Sequence, residues 1–133
     1  MDEIKALLAS CDLKTPSGVR DYAIFMVLFD TGVRVGELIS MSPPDWKNSL
    51  VKVDGKTGVR YVPLGLSSLQ ALERYIRKWS GPDSPMWRGK YGPLTTSGVL
   101  QMVRRRCSSF KIPYKGVHAF RRSAAAQMKR MGM

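Results

Sequence analysis

Residues 19–41 read VRDYAIFMVLFDTGVRVGELISM, and this stretch decides the fold. Its segment 22–29, YAIFMVLF, is apolar nearly all round, which predicts a central buried helix rather than a surface helix with one apolar face. Gly32 predicts the end of that helix. The residues that follow predict a second, short helix that buries Val35, Leu38, Ile39 and Met41. The stretch therefore predicts a helical domain built around one buried helix.

Residues 48–64, NSLVKVDGKTGVRYVPL, change from a helical to a strand pattern. Apolar residues flank the glycine-bracketed turn DGKTG on both sides: Leu50, Val51 and Val53 before it, and Val59, Tyr61 and Val62 after it. Two short strands around such a turn predict a β-hairpin. Pro63 closes the second strand and suits an edge position, because proline cannot donate a ladder hydrogen bond.

Four further segments predict helices. One lies within residues 1–11, and a last one runs from about Val117 to Met131. Residues 66–81 predict a helix, capped by Ser67 or Ser68, whose apolar face carries Leu69, Leu72, Ile76 and Trp79. Residues 96–110 predict a helix that buries Val99, Leu100, Val103, Cys107 and Phe110, and residues 86–95 predict a loop with room for a short strand. We expect a mainly α (α+β), multi-helical fold with one small antiparallel hairpin, in a single domain over residues 1–133.

The composition excludes several classes of protein. A hydrophobic fraction of 44% in 133 residues is typical of one folded domain and not of a disordered chain. No apolar run approaches the ~18 residues of a membrane span, and the acidic start carries no signal-peptide pattern, so we expect a cytoplasmic location. The two cysteines, Cys11 and Cys107, and a single histidine form no disulfide framework and no zinc-ligand spacing. We expect no metal and no cofactor.

The charge is strongly uneven along the chain. Residues 1–73 carry 8 Lys/Arg against 9 Asp/Glu, whereas residues 74–133 carry 14 Lys/Arg against one acid, Asp83. A strongly basic half joined to a nearly neutral half predicts a polyanionic partner, most simply a nucleic acid. The alternative is a basic surface that only keeps the chain soluble.

Two cations in the first half stand where local structure does not require them. Arg34 follows the glycine turn and opens the short helix, so its guanidinium could fork onto a phosphate. Alternatively Arg34 forms a local ion pair with Asp30 or Glu37, and the two interpretations are compatible if Glu37 supports Arg34. Lys56 lies at the hairpin tip, where a lysine is either simply solvated or able to reach a substrate as a proton donor.

The basic half holds two more candidate groups. His118 and Arg121 are three residues apart and share one helix face, which suits either a structural histidine or a phosphate ligand with a proton shuttle. The second group is a general phosphate-contacting surface comprising Arg104, Arg105, Arg106, Lys111, Lys115 and Arg122. The sequence has no GxxxxGK[ST] loop for nucleotide phosphates and no cluster of acids for Mg²⁺.

In order along the chain, these segments resemble the catalytic domain of the tyrosine recombinases, the phage integrase family. TGVRVGEL resembles its first arginine motif, DGKTGVRYVPL its lysine hairpin, and HAFRRSAAAQMKRMG its H-x-x-R motif and following helix. The resemblance implies catalytic roles for Arg34, Lys56, His118 and Arg121, with Glu37 supporting. It further implies a double-stranded DNA partner and a DNA-associated location. The implied reaction is cleavage and rejoining of DNA strands through a 3′-phosphotyrosyl link, with site-specific recombination or integration as the function.

The sequence departs from the family pattern after the H-x-x-R motif. The family continues with a second His or Trp and then the nucleophilic Tyr, but all five tyrosines here precede His118. We therefore expect no nucleophile in residues 1–133 and no cleavage by this chain alone, and a tetramer on DNA only for a longer parent. The alternative is a non-catalytic DNA-binding remnant or regulatory fragment. RNA binding has little support, because no aromatic-rich RNA motif is present.

Overall fold

The computed structural model describes residues 2–56, 58–79, 86–89 and 92–113. Five helices and two small antiparallel ladders follow one another there: α1 Asp2–Ala9, α2 Pro16–Thr31, α3 Val35–Ile39, β1 Leu50–Gly55, β2 Gly58–Pro63, α4 Leu66–Trp79, β3 Arg88–Gly89, β4 Gly92–Pro93 and α5 Thr96–Ser109. The mainly α fold with a small hairpin is confirmed. The helix predicted from about Val117 to Met131 lies outside the described residues. Within the described ranges, no helix is long and apolar enough to cross a membrane.

Helix α2 is the centre of the core, as its sequence predicts. Every residue from Ala23 to Phe29 is buried, so this part of the helix is enclosed on all sides. The Thr15 hydroxyl accepts the Gly18 N–H at its start, and Gly32 ends it in the left-handed conformation with φ 69°. Only a residue that tolerates positive φ can turn the chain so sharply into α3, so Gly32 sets where Arg34 begins the next helix.

Helix α4 packs along α2, and its buried face differs from the predicted one. The fully buried residues are Ser68, Ala71, Leu72 and Tyr75, whereas the predicted Leu69, Ile76 and Trp79 are only partly buried. The small Ser68 and Ala71 allow close approach to α2, and the Tyr75 hydroxyl is satisfied by donating to Met86 O at 2.8 Å and accepting from the Arg88 N–H at 3.0 Å. The prediction from hydrophobicity alone therefore placed the buried face of α4 about one residue too far toward the C-terminus.

The predicted cap of α4 is supplied differently. Asp30, near the end of α2, accepts the Gly65 N–H and the Ser68 hydroxyl, both at 2.8 Å. Ser68 thus binds another helix rather than capping its own. A carboxylate at this position also complements the positive end of the α4 dipole.

Residues 86–89 and 92–112 close the other side of the core. Met86 and Trp87 are buried, and the predicted short strand is the two-residue ladder β3–β4. In α5, Val99, Val103 and Cys107 are buried as predicted, Met102 joins them, and Leu100 is partly buried. The prediction for Phe110 is wrong: it lies just beyond the helix end, leaves the buried face and is 55% exposed.

The hairpin has the predicted form. Strands β1 and β2 pair from Leu50↔Pro63 to Gly55↔Gly58. Val51, Val53 and Val62 turn inward, whereas Tyr61 on the opposite face is 65% exposed. This pairing places Lys56 at the tip and Arg60 opposite Val53 on the inward face.

Candidate phosphate-binding cleft

Arg34 stands at the entrance of α3. It is exposed, with extended backbone (φ −77°, ψ 157°), and its N–H donates to Glu37 Oε1 at 3.0 Å. This bond satisfies the backbone at the helix start and places a carboxylate in its first turn. Glu37 therefore binds the backbone amide of Arg34. This bond holds the Arg34 backbone in place at the start of α3.

The side chain of Glu37 forms a fork with Arg60 of β2. Arg60 Nε donates to Glu37 Oε2 at 2.9 Å and Arg60 Nη2 donates to Oε1 at 3.0 Å. Glu37 is 7% exposed, while the Arg60 side chain is 50% exposed. The Arg60 hydrogen bonds, followed by the Arg34 N–H, lower the pKa of Glu37 from 4.5 to about 2, so the carboxylate stays charged in this cleft. The same pairing raises the pKa of Arg60.

Two further contacts hold β1 against α3. The Ser40 hydroxyl donates to Glu37 O at 2.7 Å and accepts the Asp54 N–H at 2.8 Å. Gly55 lies so close to Glu37 that an added Cβ would stand 2.9 Å from Glu37 Cγ. A side chain at residue 55 would push the hairpin tip away from α3, so the glycine is needed for the approach.

These contacts enclose an open cleft of about 480 Å³ lined by Arg34, Gly36, Glu37, Asp54, Gly55, Lys56 and Arg60. Its charged groups are three cations and two carboxylates. One carboxylate, Glu37, is neutralised by Arg60, so Arg34 and exposed Lys56 are the cations left facing the space. The arrangement suits a singly charged phosphodiester.

The structure brings together three of the predicted site residues and leaves others outside its range. Arg34, Lys56 and Glu37 line one cleft although they come from separate segments. Asp30, the other proposed partner of Arg34, instead binds Gly65 and Ser68. The predicted residues outside the described ranges are Lys115, His118, Arg121 and Arg122.

Sequence reasoning missed Arg60. The signal was available, because in a strand with period 2 Arg60 shares a face with buried Val62. An arginine on an inward face requires an acidic partner, and Glu37 is the acid of the adjoining helix.

The predicted basic surface of α5 divides into two parts. Arg104, Arg105 and Lys111 are exposed. Arg106, in contrast, donates through Nη2 to Asp21 Oδ2 at 2.6 Å and through Nη1 to Ser10 O at 2.8 Å. Arg106 thus ties α5 to α2 inside the fold, and we no longer count it among the proposed contacts to a polyanion.

The cysteines are not placed for nucleophilic chemistry. Both are buried, and burial raises the pKa of Cys11 to about 11 and also raises the pKa of Cys107. A thiol that is neutral at physiological pH is a poor nucleophile.

Comparison with known proteins agrees with the geometry. The family model for the phage integrase family matches residues 1–133. A putative integrase/recombinase of Sinorhizobium fredii is 33% identical over 98% of this chain and 34% of its own length. Tyrosine recombinase XerC of Anoxybacillus flavithermus is 32% identical over 98% of this chain and 48% of its own length.

A solved structure points the same way. The crystal structure of XerA recombinase superposes with a TM-score of 0.80 at 28% identity, covering 99% of this chain and 49% of that one. The chain thus spans about a third to a half of the length of these relatives. The family model matches all of residues 1–133, and the fold and the Arg34–Lys56 cleft agree with it, so the chain belongs to the phage integrase family.

Proposed function

We propose that this chain is the catalytic portion of a tyrosine recombinase, which binds double-stranded DNA and presents one phosphodiester for strand cleavage and rejoining. The observation that carries the proposal is the cleft in which Arg34 and Lys56, far apart in sequence, face one space. The integrase and Xer recombinase relatives support it.

The proposed roles follow from where charge develops in the reaction. When a tyrosine oxygen attacks phosphorus, the non-bridging oxygens gain negative charge, and guanidinium groups aimed at them stabilise the transition state. Arg34 supplies one such group and Arg121 the other. Lys56 donates a proton to the leaving 5′-oxygen, and His118 positions the phosphate or accepts the tyrosine proton.

The attacking tyrosine is proposed to lie on a segment beyond residues 1–133. Tyr75 is fully buried, with its hydroxyl bonded to Met86 and Arg88. Tyr61 lies on the hairpin face opposite to Arg60. Neither can present its oxygen to a phosphate between Arg34 and Lys56.

The exposed cations Arg104, Arg105 and Lys111, together with Lys115 and Arg122, are proposed to contact the DNA backbone. We propose a cytoplasmic, DNA-associated location and, for a longer parent, assembly as a tetramer on DNA.

The experiment measures where this chain meets DNA. Reductive methylation of lysines is followed by mass spectrometry with and without a 30-bp duplex, with exposed Lys5 on α1 as the reference. We expect DNA to slow methylation of Lys56 by about tenfold relative to Lys5, because a phosphate-bound ammonium is shielded.

A second measurement compares the DNA affinity of two variants. Arg34→Ala should weaken DNA binding by about tenfold, because it loses one charge-assisted contact. Arg77→Ala, at an exposed pair with Glu73, removes the same charge and should cost much less. Equal methylation of Lys56 with and without DNA, or equal losses in the two variants, would contradict the proposal.

A further inference from the structure

We propose that Arg60 is a positioning residue for the phosphodiester site. By forming two hydrogen bonds with Glu37, it holds the hairpin tip, which carries Lys56, at a fixed distance from Arg34 at the start of α3. The inference rests on the proposed function and adds a residue to it. Arg60 acts through Glu37 and is not itself assigned to the phosphate.

The contacts of Glu37 reach all three segments that build the cleft. Its Oε1 accepts the N–H of Arg34 at 3.0 Å, at the start of α3. Its Cγ lies against Gly55 at the end of β1, directly before Lys56. Its two oxygens accept Nε and Nη2 of Arg60 on β2. Glu37 therefore links the segment that carries Arg34 to both strands of the hairpin that carries Lys56.

The hairpin requires such bracing. Its sheet in the described part of the chain has two strands, β1 and β2, and a two-stranded ribbon is marginally stable and twists readily. The Ser40–Asp54 bond holds β1 to α3. The two hydrogen bonds from Arg60 to Glu37 hold β2 to α3. Both strands of the hairpin are thus attached to the helix that Arg34 precedes.

Arginine supplies both the geometry and the charge at this position. Two parallel N–H donors match the two carboxylate oxygens, which a lysine ammonium cannot do. Arg60 also gives the cleft a surplus of one positive charge, since its lining has three cations and two acids. Without Arg60 the lining would be neutral, and an unscreened Glu37 carboxylate would repel a phosphate.

The test separates the fork from the charge. Arg60→Lys keeps the net charge but cannot form the fork, and Arg60→Gln removes both. Gly55→Ala leaves every charge in place but inserts a Cβ 2.9 Å from Glu37 Cγ. Arg77→Lys is the matched control, an identical replacement in an exposed ion pair with Glu73. Thermal unfolding identifies the variants that fold, and Arg60→Lys and Gly55→Ala each decide the question alone.

The readout is the protection of Lys56 from reductive methylation by the 30-bp duplex, beside the total DNA affinity. We expect the wild type and Arg77→Lys to show about tenfold protection. Arg60→Lys and Gly55→Ala should fall within about twofold of no protection, while their DNA affinity falls by no more than about tenfold, because only the single Lys56 contact is lost and the other phosphate contacts remain. A merely structural role would not remove protection at Lys56 while affinity and folding persist.

The outcomes distinguish the two proposals. Protection of Lys56 in folded Arg60→Lys and Gly55→Ala equal to that of the wild type would overturn the role of Arg60 and leave the proposed function standing. Absence of protection in the wild type itself would overturn the proposed function.

Discussion

Replacing Glu37 by Gln should destabilise the protein by an amount that depends on pH. Glutamine keeps the size of the side chain and an oxygen that accepts the Arg34 N–H. It removes the negative charge that pairs with Arg60. The shift in the pKa of Glu37 from 4.5 to about 2 corresponds to a ceiling of roughly 3 kcal/mol of stabilisation. Because the Arg60 side chain is 50% exposed, solvent screening reduces the expected loss to ~1–2 kcal/mol.

The sign follows from a carboxyl whose pKa is lowered on folding. Its stabilisation is complete above the unfolded value of 4.5 and is lost as the pH falls toward the folded value of about 2. At pH 3, about two-fifths of the full effect should remain. The difference in stability between wild type and Glu37→Gln should therefore be largest at pH 7 and shrink steadily below pH 4.5.

The measurement is urea unfolding of both proteins at pH 7, 5, 4 and 3, compared at each pH. Glu73→Gln, which alters the exposed pair with Arg77, is the control and should change stability by less than ~0.5 kcal/mol at every pH. A difference between wild type and Glu37→Gln that stays constant from pH 7 to pH 3 would refute the reasoning, because it would come from packing and not from the charge.

Three further predictions concern the fold and the basic surface. Gly32→Ala should lower the free energy of unfolding by ~1–2 kcal/mol, since φ is 69° and no neighbouring atom lies within 4 Å of an added Cβ; a loss no larger than that of Gly32→Asn would contradict this. Tyr75→Phe should cost ~1–3 kcal/mol in urea unfolding, because Met86 O and the Arg88 N–H lose a buried partner; an unchanged midpoint would speak against those bonds. Binding of a 30-bp duplex should weaken by at least ~100-fold between 50 and 200 mM salt, as expected for several phosphate contacts, and a flat response in a fluorescence anisotropy titration would exclude the basic surface as the contact.

The elements that were predicted well are those that local chemistry specifies. The Gly32 helix end, the buried run of α2 and the glycine-bracketed hairpin depend on a few neighbouring residues, and each is found where the sequence indicates. The grouping of Arg34 with Lys56 came from the family resemblance, since spacing alone left open whether either residue was more than an ordinary surface cation.

The misses arise from contacts between distant segments. The buried face of α4 is displaced because Ser68 and Tyr75 find partners on Asp30 and Met86, which helical periodicity does not reveal. Arg60 was overlooked because its partner Glu37 lies 23 residues away in sequence. Phe110 was misplaced because α5 ends at Ser109, so the helical period no longer determines where the Phe110 side chain lies.

The carboxylate of Asp30 gives α4 a start that α4 does not supply itself. In many helices a glutamate in the first turn reaches back to the N-cap amide, but here that amide, Gly65 N–H, is held by a residue of α2. Nucleation of α4 is then coupled to completion of α2, although the whole hairpin separates them in sequence. The amide protons of the two helices should accordingly exchange with solvent as one cooperative unit, with a common opening free energy.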